Sequence, residues 1–195
     1  MTPAETRPRV EGDREQEILD ATLELLSEVG YDRLTMDAVA TRAKASKATL
    51  YRRWGGGKVA LVIDALKAAK QQPDLPDTGS LREDLRAAFC GMGGLTDDEA
   101  VSHFTSILTA ISVDPEFATA FRRDVLEAKI AGSRTIWERA RARGELREDI
   151  DLELIEPALA GIVMHRVFLL GRAPDADTIT RVIDQIILPA ATRRP

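Results

Sequence analysis

Apolar residues recur at helical spacing along the chain from residue 13 onward. In residues 13–29, Ile18, Leu25 and Val29 fall on one face of a helix, and Gly30 supplies a C-terminal stop. Comparable patterns predict further helices that open near residues 35, 46, 58, 80, 98, 114, 151 and 177. No segment alternates with the period of two that a strand would show. The sequence therefore predicts an all-α fold of about nine helices.

Capping residues mark two of the early helix starts. Thr35 and Ser46 each precede a short helical pattern, where a hydroxyl can accept a hydrogen bond from a backbone N–H of the first turn. Three consecutive glycines, Gly55 to Gly57, then interrupt the pattern before the fourth helix. The three helices up to this point occupy residues 13–57, so we expect them to form one compact unit.

Later helix starts are marked in the same way. Ser80 and Glu83 have the spacing of a capping box. Asp114, followed by Pro115 in the first helical position, opens a pattern that runs to Gly144 and would span roughly 43 Å. Apolar residues lie on two sides of this helix, which indicates packing neighbours on both sides. One side carries the stripe Phe117, Phe121, Val125, Ala128, Gly132 and Ile136, and the other carries Ile130 and Trp137.

The composition narrows the class of protein. A chain of 195 residues can bury a core without disulfides or metals, and its single cysteine, Cys90, excludes an internal disulfide. No stretch reaches the roughly 18 consecutive apolar residues of a membrane helix, and residues 1–17 do not form the apolar core of a signal peptide. We expect a cytoplasmic protein with no metal site and no cofactor.

Positive charge is concentrated in one segment. The net charge of −5 is unusual for a DNA-binding protein, whose footprint is normally basic. Residues 38–63, however, contain no Asp or Glu and six cations, namely Arg42, Lys44, Lys47, Arg52, Arg53 and Lys58. A solvated helix face is one interpretation, but such faces usually carry both signs. The segment favours a polyanion-binding surface.

The same segment has the pattern of helix, tight turn and helix. Val39, Ala40, Ala43 and Leu50 can form its small core, and the two alanines permit a close helix crossing. The helix that follows the turn then presents its polar face outward, toward a major groove that is wide enough to admit it. The residues on that face are Lys47, Ala48, Thr49 and Arg52.

Residues 14–62 resemble the N-terminal domain of TetR-family regulators. The matching positions are Gly30-Tyr31, Thr35, Val39-Ala40, Ser46, Leu50-Tyr51, the aromatic Trp54 and Lys58. The resemblance implies a dimeric transcriptional regulator, most often a repressor, in which a helical C-terminal part dimerises and binds a small effector. The corresponding divisions are an N-terminal arm at 1–12, a helix-turn-helix domain at 13–57 and a dimerisation and effector domain at 58–195.

Two positions depart from the family pattern. Lys44 stands where the turn usually has glycine, and a left-handed backbone there would cost roughly 1 kcal/mol or more. Either the turn relaxes or the lysine adds a phosphate contact. The segment from Trp54 to Lys58 is looser than the usual connection, which predicts a more mobile entry to the fourth helix.

The resemblance also suggests roles for individual residues. Thr35 and Lys58, each opening a helix, are expected to hold phosphates, with Tyr51, Arg53 and Lys44 as further phosphate contacts. Tyr51 and Trp54 have a second interpretation, as core aromatics. The residues expected to approach base edges are Ser46, Lys47, Ala48, Thr49 and Arg52.

The C-terminal part contains candidate effector-pocket residues. They are Phe89, Met92, Phe104, Ile107, Leu108, Phe121, Val125, Met164, His165 and Phe168. Each is also compatible with an ordinary core position, and His165 with a structural or interface role. The lack of obvious buried acids predicts a neutral or apolar effector.

The last two predicted helices are the candidates for dimerisation. Pro157 lies inside the first, at 151–171, and is expected to kink it or to move its start. The second, at 177–190, carries a broad apolar stripe, and both are predicted to build a four-helix interface between subunits. The stripe residues are Ile179, Val182, Ile183, Ile186 and Ile187.

Two other classes of function remain as alternatives. One is a helical small-molecule-binding protein that has lost operator binding, for which Lys44 is the hint. The other is an enzyme that uses Cys90, His103 or His165, although these three stand on separate predicted helices. The sequence favours a non-enzymatic regulator that binds a near-palindromic operator as a homodimer.

Overall fold

The computed structural model describes residues 11–69, 75–91, 98–172 and 175–192. Within these ranges the chain forms nine helices and one separate helical turn, and its only β-type pairing is an isolated bridge between Leu146 and Thr192. The predicted all-α fold is confirmed. The N-terminal arm predicted at 1–12 lies almost wholly outside the described residues.

The first six helices follow the predicted order. They are α1 (Glu11–Arg33), α2 (Met36–Arg42), α3 (Lys47–Arg53), α4 (Gly57–Ala68), α5 (Leu81–Gly91) and α6 (Asp98–Val113). The stop expected at Gly30 is instead a kink inside α1, where φ is 77° and the helix resumes as far as Arg33. Glycine permits this left-handed conformation at little steric cost.

The remaining helices contain π-helical turns. Helix α7 begins as Pro115–Phe121, passes through a π turn at Arg122–Leu126 and continues as Glu127–Ala142. A separate turn, Leu152–Ile155, precedes α8, which runs from Ala158–Met164 into a π turn at His165–Leu169. Helix α9 combines Ala176–Val182, a π turn at Ile183–Ile187 and Leu188–Ala191. Pro157 occupies the N-cap position of α8, so the predicted helix starts later, at Ala158.

The described residues fall into two compact units. Unit 1 is drawn from Met1–Gln71 and Ser106–Val125, and unit 2 from Gln72–Thr105 and Leu126–Pro195. The boundary expected between residues 57 and 58 therefore falls inside unit 1. Helix α4 packs against α1 and against the start of α7, which adds these segments to the helix-turn-helix.

The core of unit 1 explains why its short helices are stable. Helices of about two turns do not hold their shape in water without tertiary packing. Each of α1 to α4 contributes side chains that are almost completely removed from solvent, and the start of α7 adds Phe117. The largest of these side chains are Trp54, Tyr31, Ile18, Leu26, Leu34, Leu50 and Leu61.

Helix α7 has the predicted start but only part of the predicted apolar pattern. Asp114 accepts a hydrogen bond from the Phe117 N–H at 3.0 Å, and Pro115 occupies the first turn, as expected. In the middle of the helix, Ala128 and Ile130 are exposed, so the prediction of burial was wrong for both. The pattern alone could not show that no neighbour within the described chain covers this stretch.

Unit 2 has its own apolar core, with the buried acid Asp84 beside it. Leu81, Trp137, Leu159 and Ile183 lie at its centre. The side chain of Asp84 is fully buried beside them. Its carboxylate accepts hydrogen bonds from the backbone N–H and hydroxyl of Thr78 and from Arg143, all between 2.6 and 3.2 Å.

The start of α5 is held differently from the predicted capping box. Glu83 bonds to Arg82 and Arg86, so its carboxylate is engaged away from the helix start. The backbone N–H of Leu81 donates instead to Glu145, which follows α7 in the sequence. A capping box is a local pattern, and here a residue 64 positions away replaces it.

Candidate nucleic-acid interface

Hydroxyl caps fix both helices of the helix-turn-helix. Thr35 accepts a hydrogen bond from the Ala38 N–H at 3.1 Å, and Ser46 accepts one from the Thr49 N–H at the same distance. The Ser46 and Thr49 hydroxyls are also 2.8 Å apart. These contacts satisfy N–H groups that a helix start leaves unpaired, and they confirm the predicted starts of α2 and α3.

The turn between α2 and α3 holds Lys44 in a left-handed conformation, with φ of 51°. Two hydrogen bonds close the turn: Ala45 N–H donates to Ala40 at 2.8 Å and Lys44 N–H donates to Thr41 at 3.2 Å. This is the Schellman arrangement, in which the left-handed position normally belongs to glycine. Of the two predicted possibilities, the turn does not relax, and the lysine occupies the strained position.

The two aromatics of α3 lie in different environments. Trp54 is buried, and its indole Nε1 donates to Asp64 at 3.0 Å. Tyr51 is 53% exposed. Trp54 is therefore a core aromatic, which was the second interpretation of these two residues. Tyr51 is exposed and available for contact with DNA.

One exposed surface carries most of the predicted DNA contacts. Leu50 and Trp54 face the core, so the opposite side of α3 faces solvent. Thr49 is half-buried. The exposed residues are Thr35, Lys44, Ser46, Lys47, Ala48, Tyr51, Arg52 and Arg53, which we call the DNA-facing surface.

Acidic side chains from α1 and α2 reach three of the six cations. Lys47 Nζ lies 2.6 Å from Asp37, and Arg53 lies 2.7 Å from Glu15. Arg42 forms a two-bond pair with Glu28. Residues 38–63 contain no acid, but in the fold acids from outside this segment pair with three of its cations. The expectation of unopposed positive charge was therefore wrong for Arg42, Lys47 and Arg53. Within the described chain, Lys44 and Arg52 have no acidic partner.

These ion pairs shift the pKa values of three of the side chains. The hydrogen bond that Lys47 donates to Asp37 raises the pKa of Lys47, and the one that Arg53 donates to Glu15 raises the pKa of Arg53. The Arg42 guanidinium lowers the pKa of Glu28. Lys47, Arg53 and Glu28 therefore keep their charges near neutral pH.

Lys58 lies in a different position from the other predicted contacts. Its ammonium is 4.0 Å from the centre of the Tyr31 ring and donates to the Tyr31 carbonyl at 3.2 Å. The Tyr31 hydroxyl in turn donates to Asp114 at 2.6 Å. Lys58 thus belongs to an internal network that joins α1, α4 and the start of α7, and its phosphate contact stays a prediction.

The predicted effector residues are divided between the two units. Ile107, Phe121 and Val125 are buried in unit 1 and Leu108 is half-buried there. In unit 2, Phe104 and Phe168 stack with ring centres 5.8 Å apart, and His165 is exposed. Phe89 and Met164 are half-buried in unit 2, whereas Met92 lies outside the described residues.

The predicted dimer residues are mostly core residues of a single chain. Ile179, Val182, Ile183 and Ile187 are at most 8% exposed and belong to the core of unit 2, so the prediction that they contact another subunit was wrong. Only Ile186 of this set is exposed, at 48%. The broad stripe of α9 thus covers the chain's own core.

Unit 2 also contains buried acids that the sequence did not reveal. Besides Asp84, the Glu156 side chain is only 8% exposed and lies 3.6 Å from Arg134. The expectation of a neutral effector rested on the absence of such acids and therefore loses that support.

Unit 2 also has a polar groove of about 470 Å³. The residues that line it are Arg134, Glu138, Arg141, Ile150, Asp151, Leu152 and Glu153.

The residues considered for catalysis lie on three helices. Cys90 is on α5, His103 on α6 and His165 in the π turn of α8. In the part of the chain that the structure describes, no group of three or more His, Cys, Asp or Glu side chains is arranged to hold a metal. The described helices also include none with the length and apolar character that a bilayer crossing requires.

Sequence reasoning missed the acids that lie beside the DNA-facing surface. Glu15 and Asp37 were available only as polar positions of α1 and α2, and their pairing depends on how these helices cross. The acidic face of α1, opposite its apolar stripe, is the one signal that could have suggested charge complementarity with the basic segment.

A capped helix-turn-helix with an exposed cationic recognition helix, followed by a helical C-terminal part, defines a DNA-binding regulator. Residues 18–65 match the family model of bacterial regulatory proteins of the tetR family, and residues 75–186 match a Tetracyclin repressor-like C-terminal domain. The chain belongs to the TetR family of transcriptional regulators.

Individual relatives agree with this assignment. The chain is 36% identical over 192 residues to an uncharacterized HTH-type transcriptional regulator of Mycobacterium tuberculosis, covering 96% of this chain and 93% of the relative. It is 33% identical to the DNA-binding transcriptional repressor TetR of Mycobacteroides abscessus, covering 90% and 92%. The crystal structure of the TetR family transcription regulator SCO0332 superposes with a TM-score of 0.72 at 29% identity, covering 94% and 100%.

Proposed function

We propose that this regulator represses transcription by binding a near-palindromic operator through the DNA-facing surface, with α3 in the major groove. The observation that supports this most directly is that one side of the recognition helix is buried and the other is exposed. Leu50 and Trp54 are buried, whereas Lys47, Tyr51 and Arg52 are exposed. Phosphate contacts from Lys44, Tyr51 and Arg53 would position the helix, and Lys47 and Arg52 would reach base edges. Such a protein acts where the chromosome lies, in the cytoplasm.

The active form is a homodimer, because two recognition helices must reach half-sites about 34–36 Å apart, or a multiple of this, on one face of DNA. Unit 2 exposes large apolar side chains at its last helices, which a single chain does not cover. Leu154 and Leu169 are each 74% exposed, and Leu170 and Ile186 about half. These four residues, which we call the exposed apolar set, replace the buried stripe of α9 as the proposed subunit contact.

A small molecule that binds the helical C-terminal part would release the operator. The stacked Phe104 and Phe168 rings favour a ligand with apolar surface, and Met164 and His165 lie on the same helix as Phe168. Such a ligand shifts the equilibrium only as far as it prefers the released conformation to the bound one.

The proposed operator contact is tested by DNA binding over a series of salt concentrations, on the DNA upstream of the protein's own gene. Wild type is compared with Lys47→Ala, Arg52→Ala and with a control, Arg86→Ala, Arg147→Ala, which removes the same charge from unit 2. We expect specific binding that weakens steeply with salt, is lost in the first variant and persists in the control. Equal losses in both variants would contradict the proposal.

The two alternative classes are distinguished in the same assay. A ligand-binding protein without operator binding would fold and dimerise but show no specific DNA binding at low salt. Lys44 in the turn was the sequence feature that suggested this alternative. It now gives less support, because the turn is intact with Lys44 in it. An enzyme would depend on Cys90, His103 or His165, and replacing all three should leave DNA binding intact if the protein is a regulator.

A further inference from the structure

The helix-turn-helix of this DNA-binding protein is not basic overall. Residues 13–57 carry eight acidic and seven basic side chains. DNA binding without sequence preference depends on neutralising phosphates, so acids near the contact surface weaken it. The position of these acids therefore matters for affinity.

Two of the acids contact cations of the DNA-facing surface. Asp37, on the first turn of α2, accepts a hydrogen bond from Lys47 at the first turn of α3. Glu15, near the start of α1, accepts two from Arg53 at the end of α3. One acid thus lies at each end of the recognition helix.

Both pairs lie at the surface. The Lys47 and Asp37 side chains are 66% and 56% exposed, so Lys47 can exchange its carboxylate partner for DNA without any unfolding. Arg42 also pairs with acids, Glu24 and Glu28, but it lies outside the DNA-facing surface. Arg52 has no acidic partner among the described residues and is free to bind DNA directly.

We propose that Asp37 and Glu15 set the DNA affinity of this regulator by competing with DNA for Lys47 and Arg53. DNA must displace each carboxylate before the cation can contact it. This inference rests on the proposed operator contact of Lys47 and Arg53. It adds that neighbouring acids attenuate that contact.

The test is a double-mutant cycle of Asp37→Asn and Lys47→Ala, measured on operator DNA and on unrelated DNA at several salt concentrations. Asp37→Asn should raise affinity for both DNAs by roughly two- to five-fold, the range expected for one exposed ion pair. It should also steepen the dependence of log K on log salt by up to about 0.9, the value for one further neutralised phosphate charge, because the charge of Lys47 is no longer cancelled by a carboxylate beside it. In the Lys47→Ala background both effects should disappear.

Asp20→Asn is the matched control. It removes the same charge from α1, where Asp20 bonds to Gln16 rather than to a cation. An equal gain from Asp20→Asn, or an Asp37→Asn gain that persists without Lys47, would overturn the proposal in favour of a general charge effect. Lys47→Ala without effect in either background would instead refute the operator contact itself.

The second pair provides an independent test. Glu15→Gln should raise affinity when Arg53 is present and leave it unchanged in an Arg53→Ala background. If Glu15 instead holds Arg53 in position for DNA, Glu15→Gln would lower affinity, and the proposal would be wrong for this pair.

Discussion

The Tyr31 hydroxyl donates a hydrogen bond to Asp114 across 2.6 Å, although the two residues are 83 positions apart in the sequence. Tyr31 lies just after the kink in α1, and Asp114 caps α7. The Tyr31 ring also packs on Phe117 at 4.8 Å and beneath the Lys58 ammonium. One side chain thus fastens the end of α1 to the starts of α4 and α7.

Tyr31→Phe should destabilise the protein by about 1–2 kcal/mol, as expected for a part-buried hydrogen bond to a charged acceptor. The phenylalanine ring keeps the packing on Phe117, so the loss reports the hydroxyl. Urea unfolding measures the change. Tyr51→Phe is the control, because Tyr51 is exposed and is the only other tyrosine. A similar loss in the control would contradict the assignment.

The same pair predicts how stability depends on pH. The Phe117 N–H and the Tyr31 hydroxyl lower the pKa of Asp114, so its contribution is present above its ordinary value of 3.8 and is lost as pH falls through the folded value. Burial and Asp114 raise the pKa of Tyr31, so its contribution is complete below its ordinary value of 10 and is lost as pH rises further.

Unfolding measured from pH 2 to pH 12 should therefore show losses at both ends. In Tyr31→Phe the alkaline loss should shrink, because the group that ionises in the unfolded chain is absent. The acid loss should shrink less, since the Phe117 N–H still bonds to Asp114. If the loss of stability at alkaline pH is the same in Tyr31→Phe as in wild type, groups other than Tyr31 cause that loss.

Replacing Lys44 should separate backbone strain from charge. Lys44→Gly relieves a left-handed conformation and should stabilise the protein by up to about 1 kcal/mol, after the greater freedom of glycine in the unfolded chain is subtracted. It should also weaken DNA binding and reduce the salt dependence by about one phosphate contact. Thermal unfolding and DNA titration measure the two effects.

Lys44→Ala is the comparison for that variant. Alanine keeps the strained backbone but removes the charge, so stability should stay near wild type while DNA binding falls as it does in Lys44→Gly. Full DNA affinity in both variants would exclude a phosphate contact at this position.

The buried acid of unit 2 makes Arg143 important for stability. Arg143→Met removes a charged partner from Asp84. Only Asp84 is buried and Arg143 is exposed, so the cost should be about 1–3 kcal/mol, below that of a fully buried ion pair. We expect the lower end of this range, because Asp84 keeps both bonds from Thr78. The control is Arg147→Met, since Arg147 and Asp149 form an exposed pair whose loss should cost less than about 1 kcal/mol.

A charge placed in the exposed apolar set should prevent dimerisation. Leu169→Asp should yield a folded monomer with weak operator binding, because an aspartate in an apolar contact loses its hydration. Sedimentation velocity measures the subunit state and circular dichroism the fold. Val113→Asp changes an equally apolar exposed position in unit 1 and should remain dimeric. A dimeric Leu169→Asp would move the subunit contact elsewhere.

The sequence determined the local features of this protein. Thr35, Ser46 and Asp114 cap the helices that their spacing predicts, and Lys44 occupies the turn position where strain was expected. The family resemblance of residues 14–62 was also confirmed. These features depend on a few neighbouring residues and on backbone conformations that are local.

Only the tertiary structure decided which surfaces are free. An apolar stripe such as that of α9 shows that a helix must be covered, but it does not show whether the same chain or a second subunit covers it. A run of cations likewise shows charge without its partners, because Asp37 and Glu15 reach α3 only when the helices cross. Burial and ion pairing depend on residues distant in sequence, and a local pattern does not contain that information.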